Sequence, residues 1–260
     1  MKNKLNVDVL ILARLGSSRL EKKHMLKIND KPIIKHLIER ISKCKTIRKI
    51  IVCTTNDPTD DSFVEYLKQQ NILFFRGDND DIVKRLIDAS VYFETDIIVD
   101  IEGDKIYTEP DFVDNSVEII LNSDYDFIMG SNNPNSVDHS DHSVAAVFPA
   151  VIRKSALIKL NTIKKEKNNQ TGYREYFTSN SIFKCKYMTL SNISIPKNLR
   201  LTLDYAEDFE FAKIIFQKFG NSFTFFELVK LINQNPELLK ITYPLIEKWK
   251  KNYNKNFLKS

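Results

Sequence analysis

A strand-length apolar run, Val7 to Leu12, leads directly into Ala13-Arg14-Leu15-Gly16-Ser17-Ser18-Arg19, with Lys23 a little further on. Two guanidinium groups and an ammonium around a short Gly- and Ser-containing loop place fixed positive charge beside exposed backbone N–H groups. That combination suits a polyphosphate. The Gly-Lys-Ser/Thr ending of a Walker A loop is absent, so the loop is of another kind. A solvated turn with surface Arg is the competing reading, and the position between a buried strand and its helix speaks against it.

Two carboxylates, Asp104 and Asp204, each follow an apolar run of strand length. Brought together beside the cationic loop they would hold Mg²⁺, which favours one or two protein carboxylates, phosphate oxygens and water. Taken singly, an Asp after a strand is more often a turn or helix cap. Arg76-Gly77 ends another short apolar run, where Arg offers donors to a base or phosphate and Gly allows close approach. Asp80 after it reads as a helix cap. His139 and His142 lie three apart among Asp138 and Asp141; with no third ligand at zinc-type spacing, a solvated loop is the better reading. Asp78/Asp80 and Asp124/Asp126 both match Asp-x-Asp, an unsurprising number in a chain with 34 acidic residues.

The elements that must carry these residues alternate strand-length runs with segments of helical period, the pattern of parallel strands joined by crossover helices. Strands are expected at 7–12, 50–54, 73–76, 97–101, 127–130, 145–148 and 199–203. Helices are expected at 32–44, 60–70, 80–93, 111–122, 152–160, 206–219 and 225–233, the last closing the fold. Residues 1–247 read as one domain in which 131–194, the least regular stretch, forms an inserted arm for acceptor binding or dimerisation. Residues 248–260 form a basic tail carrying Lys248, Lys250, Lys251, Lys255 and Lys259.

With 260 residues and 42% hydrophobic residues, the chain can bury one large α/β core. The formal charge of +5 is a mild excess that does not argue for nucleic acid. No apolar run approaches the ~20 residues of a membrane span, and no signal peptide is evident. Cys44, Cys53 and Cys185 lack paired or metal-type spacing, as expected of a cytoplasmic protein.

Leu12 to Lys23 resembles the "QARxGSxRLPGK" signature of the spore-coat polysaccharide type of cytidylyltransferase, a family related to the enzymes that activate ketodeoxyoctonate and neuraminic acid. The likeness extends to Phe75-Arg76-Gly77, Glu102-Gly103-Asp104, Tyr173-Arg174-Glu175, Leu201 to Asp204 with Glu207-Asp208, and Asn235 to Leu239. It implies a Rossmann-like, mostly parallel sheet of the nucleotide-diphospho-sugar transferase (GT-A-like) type, a homodimer, and transfer of CMP from CTP to a small acceptor with Mg²⁺. Carried over by position, Leu12, Ala13, Arg14, Gly16, Ser17, Arg19, Lys23, Arg76 and Gly103 would bind nucleotide. Arg14, Lys23, Asp104 and Asp204 would be catalytic, and the two Asp would hold the metal. Lys105, His142, Arg174 and Glu175 fall on the acceptor side.

The chain departs from the signature at Leu12 for Gln, at Glu21-Lys22 for Pro-Gly, and at Lys105 beside a proposed metal ligand. The expected activity is cytidylyl transfer to a sugar, sugar acid or phosphorylated acceptor. Two rivals remain: a metal-dependent glycosyltransferase, which needs an Asp-x-Asp in the site, and a nucleotide-binding subunit that no longer catalyses.

Overall fold

Strand β1 (Val7–Leu12) is buried from Val7 to Ile11, so both of its faces must be covered. Val7, Val9 and Ile11 enter one apolar cluster and Leu10 another. Asp8, buried in this strand, is satisfied by Arg48 at 2.6 Å and by the Thr95 hydroxyl at 2.6 Å. The computed structural model describes residues 4–17, 19–131, 142–164, 173–190 and 193–257.

After a small hairpin, β2 (Lys27–Ile28) and β3 (Lys31–Pro32), the strands are β4 (Lys49–Thr55), β5 (Leu73–Gly77), β6 (Ile97–Glu102), β7 (Phe127–Gly130), β8 (Ala150–Arg153) and β9 (Cys185–Met188). The main sheet runs β5-β4-β1-β6-β8-β7-β9, and β8 alone is antiparallel to its neighbours. The helices are α1 (Ile33–Ile41), α2 (Asp61–Gln69), α3 (Ile82–Tyr92), α4 (Pro110–Leu121), α5 (His142–Val147), α6 (Lys154–Ile163), α7 (Tyr173–Thr178), α8 (Ala206–Phe219), α9 (Phe225–Gln234) and α10 (Leu239–Phe257). Apolar faces of α1, α2 and α4 cover one side of the sheet, and those of α3, α6 and α7 the other. A third cluster joins α8 and α9 to Tyr107, α5 and the buried residues Leu199, Leu201 and Leu203.

The chain leaves β1 toward β4 and β5 on one side and returns to β6 on the other, so the order reverses between β1 and β6. Such a switch point opens a crevice outside the carboxyl ends of the strands. Leu12 stands opposite both Cys53 and Glu102, and the loops after β1, β4, β5 and β6 therefore converge there.

The architecture is the Rossmann-like, mostly parallel sheet expected, with local corrections. Residues 145–147 belong to α5 and Phe148 follows it in a bend, so no strand forms there; the strand is Ala150–Arg153, where the start of a helix was expected. A short buried apolar run does not distinguish the two by pattern. Residues 199–203 form no ladder. Their alternate Leu side chains are buried in the third cluster, while the Leu203 N–H bonds the Asp104 carbonyl at 3.2 Å. Strand β9 was not anticipated. Helix α9 is not the last, because α10 follows and spans the boundary placed at 247. Of the inserted arm, residues 132–141, 165–172 and 191–192 lie outside the described residues, and so does His139.

Candidate active site

Two arrays meet at the crevice. In the first, Lys23 Nζ donates to Asp104 Oδ2 at 2.7 Å and to Asp204 Oδ1 at 3.0 Å. Lys23 is placed by the short 3₁₀ turn Lys23–Met25, and Asp104 by the turn that follows β6. Asp204 arrives from the far end of the chain, held beside Asp104 by the Leu203 backbone bond. Arg19 adds 2.7 Å to Asp204 Oδ1, and Arg200 adds 3.2 Å to Oδ2.

Asp208, in the first turn of α8, pairs with Arg200 and accepts the N–H groups of Asp204 and Tyr205 at 2.9 and 3.0 Å. A carboxylate in a first helical turn also meets the favourable end of the helix dipole. Lys23, Arg19 and Arg200 thus face Asp104, Asp204 and Asp208, three cations against three carboxylates. Burial lowers the proton affinity of Lys23, but Asp104 and Asp204 outweigh it and hold the ammonium charged. Burial raises the Asp204 pKa, and Lys23, Arg19 and Arg200 reverse that shift. Asp104 keeps a raised pKa because burial prevails over its Lys23 partner.

Gly103 explains why this turn is tight. A Cβ there would stand 2.8 Å from His24 Cε1 and 3.0 Å from Ala13 Cβ. His24 is buried, and burial, reinforced by Lys23, lowers its pKa to about 3. It is a neutral packing ring beneath the turn.

The second array is a cavity of about 410 Å³ lined by Arg14, Gly16, Thr55, Asp57, Thr59, Asp60, Asn79 and Asp80. Asp60 organises it. Fully buried, its carboxylate accepts the Leu15 N–H at 2.7 Å, the Thr55 N–H at 3.2 Å and the Thr54 hydroxyl at 2.8 Å. The loop after β1 is thereby tied to the end of β4. Arg14 reaches the Asn79 carbonyl at 3.4 Å. Arg76 turns to the rim, where it donates to Thr55 O, Asp57 O and Asp61.

On the opposite flank, Glu102 lies 3.6 Å from Lys105 and 3.3 Å from Arg174, and Arg174 also bonds Asp100 at 3.0 Å. Burial raises the Glu102 pKa, yet Lys105 and Arg174 bring it below the ordinary range. Lys105 pairs with Glu102, whereas Lys23 is the residue bridging the two aspartates.

The expected residues Arg14, Arg19, Lys23, Gly103, Asp104 and Asp204 therefore converge, with Gly16 in the cavity wall. Leu12 and Ala13 contribute backbone: Leu12 O accepts from Gly103 N at 2.8 Å, and Ala13 N donates to Cys53 O at 3.2 Å. Ser17 Oγ accepts from Leu20 N at 3.4 Å and shapes the loop. Glu175 lies in α7 with Arg174, and the side chain of His142 lies outside the described residues. Sequence reasoning missed Asp60, Asn79, Arg200 and His24. For Asp60 the usable signal was Thr54-Thr55 at a strand end with acids directly after it.

Asp104 and Asp204 fit a divalent cation. Both are already drawn to one positive centre, and Asp104 Oδ1 is buried without a hydrogen-bond partner among the described residues. Neither Asp-x-Asp pair competes for that role. Asp78 accepts the N–H groups of Asp80 and Asp81 at 3.0 Å as a turn cap, and the exposed Asp124 pairs with Lys184.

A switch-point crevice with a loop of cations, paired acids and an adjoining cavity suits an anionic, phosphate-bearing ligand. The chain belongs to the cytidylyltransferase family: a sequence model of that family matches residues 9–230. CTP-dependent transfer of CMP is that family's reaction. The chain is 29% identical over 234 residues to the uncharacterized protein MJ1063 of Methanocaldococcus jannaschii, covering 89% of this chain and 92% of that one. To the spore coat polysaccharide biosynthesis protein SpsF of Bacillus subtilis it is 22% identical over 238 residues, covering 88% and 94%. A cytidylyltransferase structure from Leptospira borgpetersenii superposes with a TM-score of 0.80 at 26% identity, covering 91% of this chain and 97% of that one. CMP:2-keto-3-deoxy-manno-octonic acid synthetase complexed with CTP shares the fold, with a TM-score of 0.64 at 17% identity over 82% of this chain and 99% of that one. Among the described residues, no helix is long and apolar enough to cross a membrane.

Proposed function

We propose that this cytidylyltransferase acts in the cytoplasm as a homodimer, using Mg²⁺ to transfer CMP to a sugar-type acceptor of surface glycan synthesis. The observation that carries the reading is the pairing of Lys23 with both Asp104 and Asp204, from the same β1-to-α1 connection that supplies Arg14 and Gly16 to the cavity. Asp104 and Asp204 would hold Mg²⁺, which when bound neutralises triphosphate charge and polarises the phosphoryl group under attack.

The chain's own residues bind and orient. Arg14 and Arg19 approach the triphosphate from the β1 loop, and Lys23 follows the charge that develops on the leaving pyrophosphate. The acceptor oxygen forms the new bond to the α-phosphorus as the bond to pyrophosphate breaks. Asp60 keeps the loop in register with the cavity, where the pyrimidine and ribose meet Thr55, Asn79 and Asp80.

The acceptor approaches from the flank of Lys105, Arg174 and Glu102. With its pKa lowered, Glu102 is a weak base near neutral pH, which favours an acceptor oxygen that is already anionic, as in a phosphate or phosphonate.

The test is pyrophosphate release with Mg²⁺ and each of the four nucleoside triphosphates against sugar acids, sugar phosphates and phosphonates. Release with CTP and one acceptor is expected. Release with another triphosphate, but not with CTP, would remove the cytidine reading. A monomeric mass in solution would remove the homodimer.

A further inference from the structure

The ion-pair array balances itself. Lys23, Arg19 and Arg200 compensate Asp104, Asp204 and Asp208, and Lys23 alone of the three cations contacts both aspartates proposed to hold the metal. Its ammonium stands 2.7 and 3.0 Å from the two carboxylate oxygens, within the space that a divalent cation with ligands at about 2.0–2.1 Å would need. Both groups cannot occupy it together. A divalent ion arriving alone would have to expel a buried ammonium from two charge-assisted hydrogen bonds and leave it without a partner. A triphosphate removes that obstacle, because it offers the ammonium new oxygens outside the array.

We infer that Lys23 is a built-in place-holder for the divalent cation: it closes the Asp104–Asp204 pair to metal until a nucleoside triphosphate draws its ammonium away. Metal and nucleotide then bind as one coupled event. Coupling of this kind is reciprocal, and strengths of about 5–150-fold are usual. The inference rests on the reading that Asp104 and Asp204 hold the cation. It goes beyond that reading in giving Lys23 a role before chemistry begins, in addition to any contact it makes with phosphate.

The experiment follows free Mn²⁺ by electron paramagnetic resonance during titration of nucleotide-free protein. Wild type, Lys23→Met and Lys23→Gln are compared, with far-ultraviolet circular dichroism confirming the fold. Lys23→Met removes the charge at nearly constant length, and Lys23→Gln retains a hydrogen-bond donor should the first variant fold poorly. Nucleotide-free Mn²⁺ affinity is expected to rise about 5–150-fold in the variants. Adding Asp104→Asn to either variant is expected to abolish the gain.

A folded Lys23 variant with no gain overturns the inference. So does a gain that survives Asp104→Asn. The wild type provides a check that needs no variant, since site-specific Mn²⁺ uptake without nucleotide, as tight as with CTP present, also overturns it. The transferase reading fails separately, through absence of CTP-dependent pyrophosphate release, which this titration does not measure.

Discussion

The two halves of the crevice are built on opposite principles. On the cavity side, one buried carboxylate, Asp60, is saturated by backbone N–H and hydroxyl donors, so the loop after β1 is fixed before any ligand arrives. On the other side, Lys23, Arg19 and Arg200 share Asp104, Asp204 and Asp208 through side-chain ion pairs alone, apart from the cap made by Asp208. Hydrogen bonds to backbone set a shape, whereas ion pairs between long side chains can exchange partners when a new anion enters. The recognition half is preorganised; the reactive half is charge-compensated and ready to rearrange.

Substitutions can break that contrast. Asp104→Asn strikes the reactive half where it is most sensitive and should lower kcat by about 10²–10³-fold while the cavity still takes nucleotide. Single-turnover pyrophosphate release alongside equilibrium CTP binding checks both parts. Asp60→Ala should do the reverse in kind. By stranding the Leu15 and Thr55 N–H groups it should cost about 3 kcal/mol in urea unfolding and weaken CTP binding more than it slows chemistry.

His24 sharpens the contrast through pH. Its folded pKa of about 3 lies below the ordinary 6.5, so between these values the unfolded chain binds a proton that the folded one does not. The associated stability is therefore present above pH 6.5 and is lost as pH falls toward 3, at up to about 1.4 kcal/mol per pH unit. His24→Gln should flatten this part of the urea-midpoint profile, and an unchanged slope would show that His24 does not govern it.

The smallest effect is expected at Lys22, which sits in the left-handed region at φ 48° where the family signature carries Gly. Lys22→Gly relieves a strain of about 1–2 kcal/mol, partly offset by chain entropy, and should raise Tm by about 1–3 °C.

Strand β1, helices α1, α2 and α4 on one face and α3 and α6 on the other, and the convergence of Arg14, Lys23 and Asp104 were legible because each depends on local pattern, whereas the short α7 was not expected. Val7–Leu12 can only be a buried strand, and a loop leaving it must open at the sheet edge. Asp60 was hidden because Thr54 and Thr55 give only a faint local signal, while its partner at the Leu15 N–H lies 45 residues away and meets it only in the fold. Residues 199–203 misled for a related reason: alternate Leu residues report alternate burial, and an extended segment buried against helices repeats as a strand does. Helix α10 escaped because the lysines from Lys248 onward read as a basic tail, although Leu245 and Ile246 in the same helix are buried.

The backbone bond from Leu203 N to Asp104 O also sets an order of assembly. The sheet strands β1, β4, β5 and β6 and the Asp60-built cavity are all encoded before residue 104, whereas Asp204 and Arg200 leave the ribosome about a hundred residues later. A nascent chain can shape its recognition half while its reactive half still lacks Arg200, Asp204 and Asp208. The array is complete only once residues 200–208 pack against Asp104.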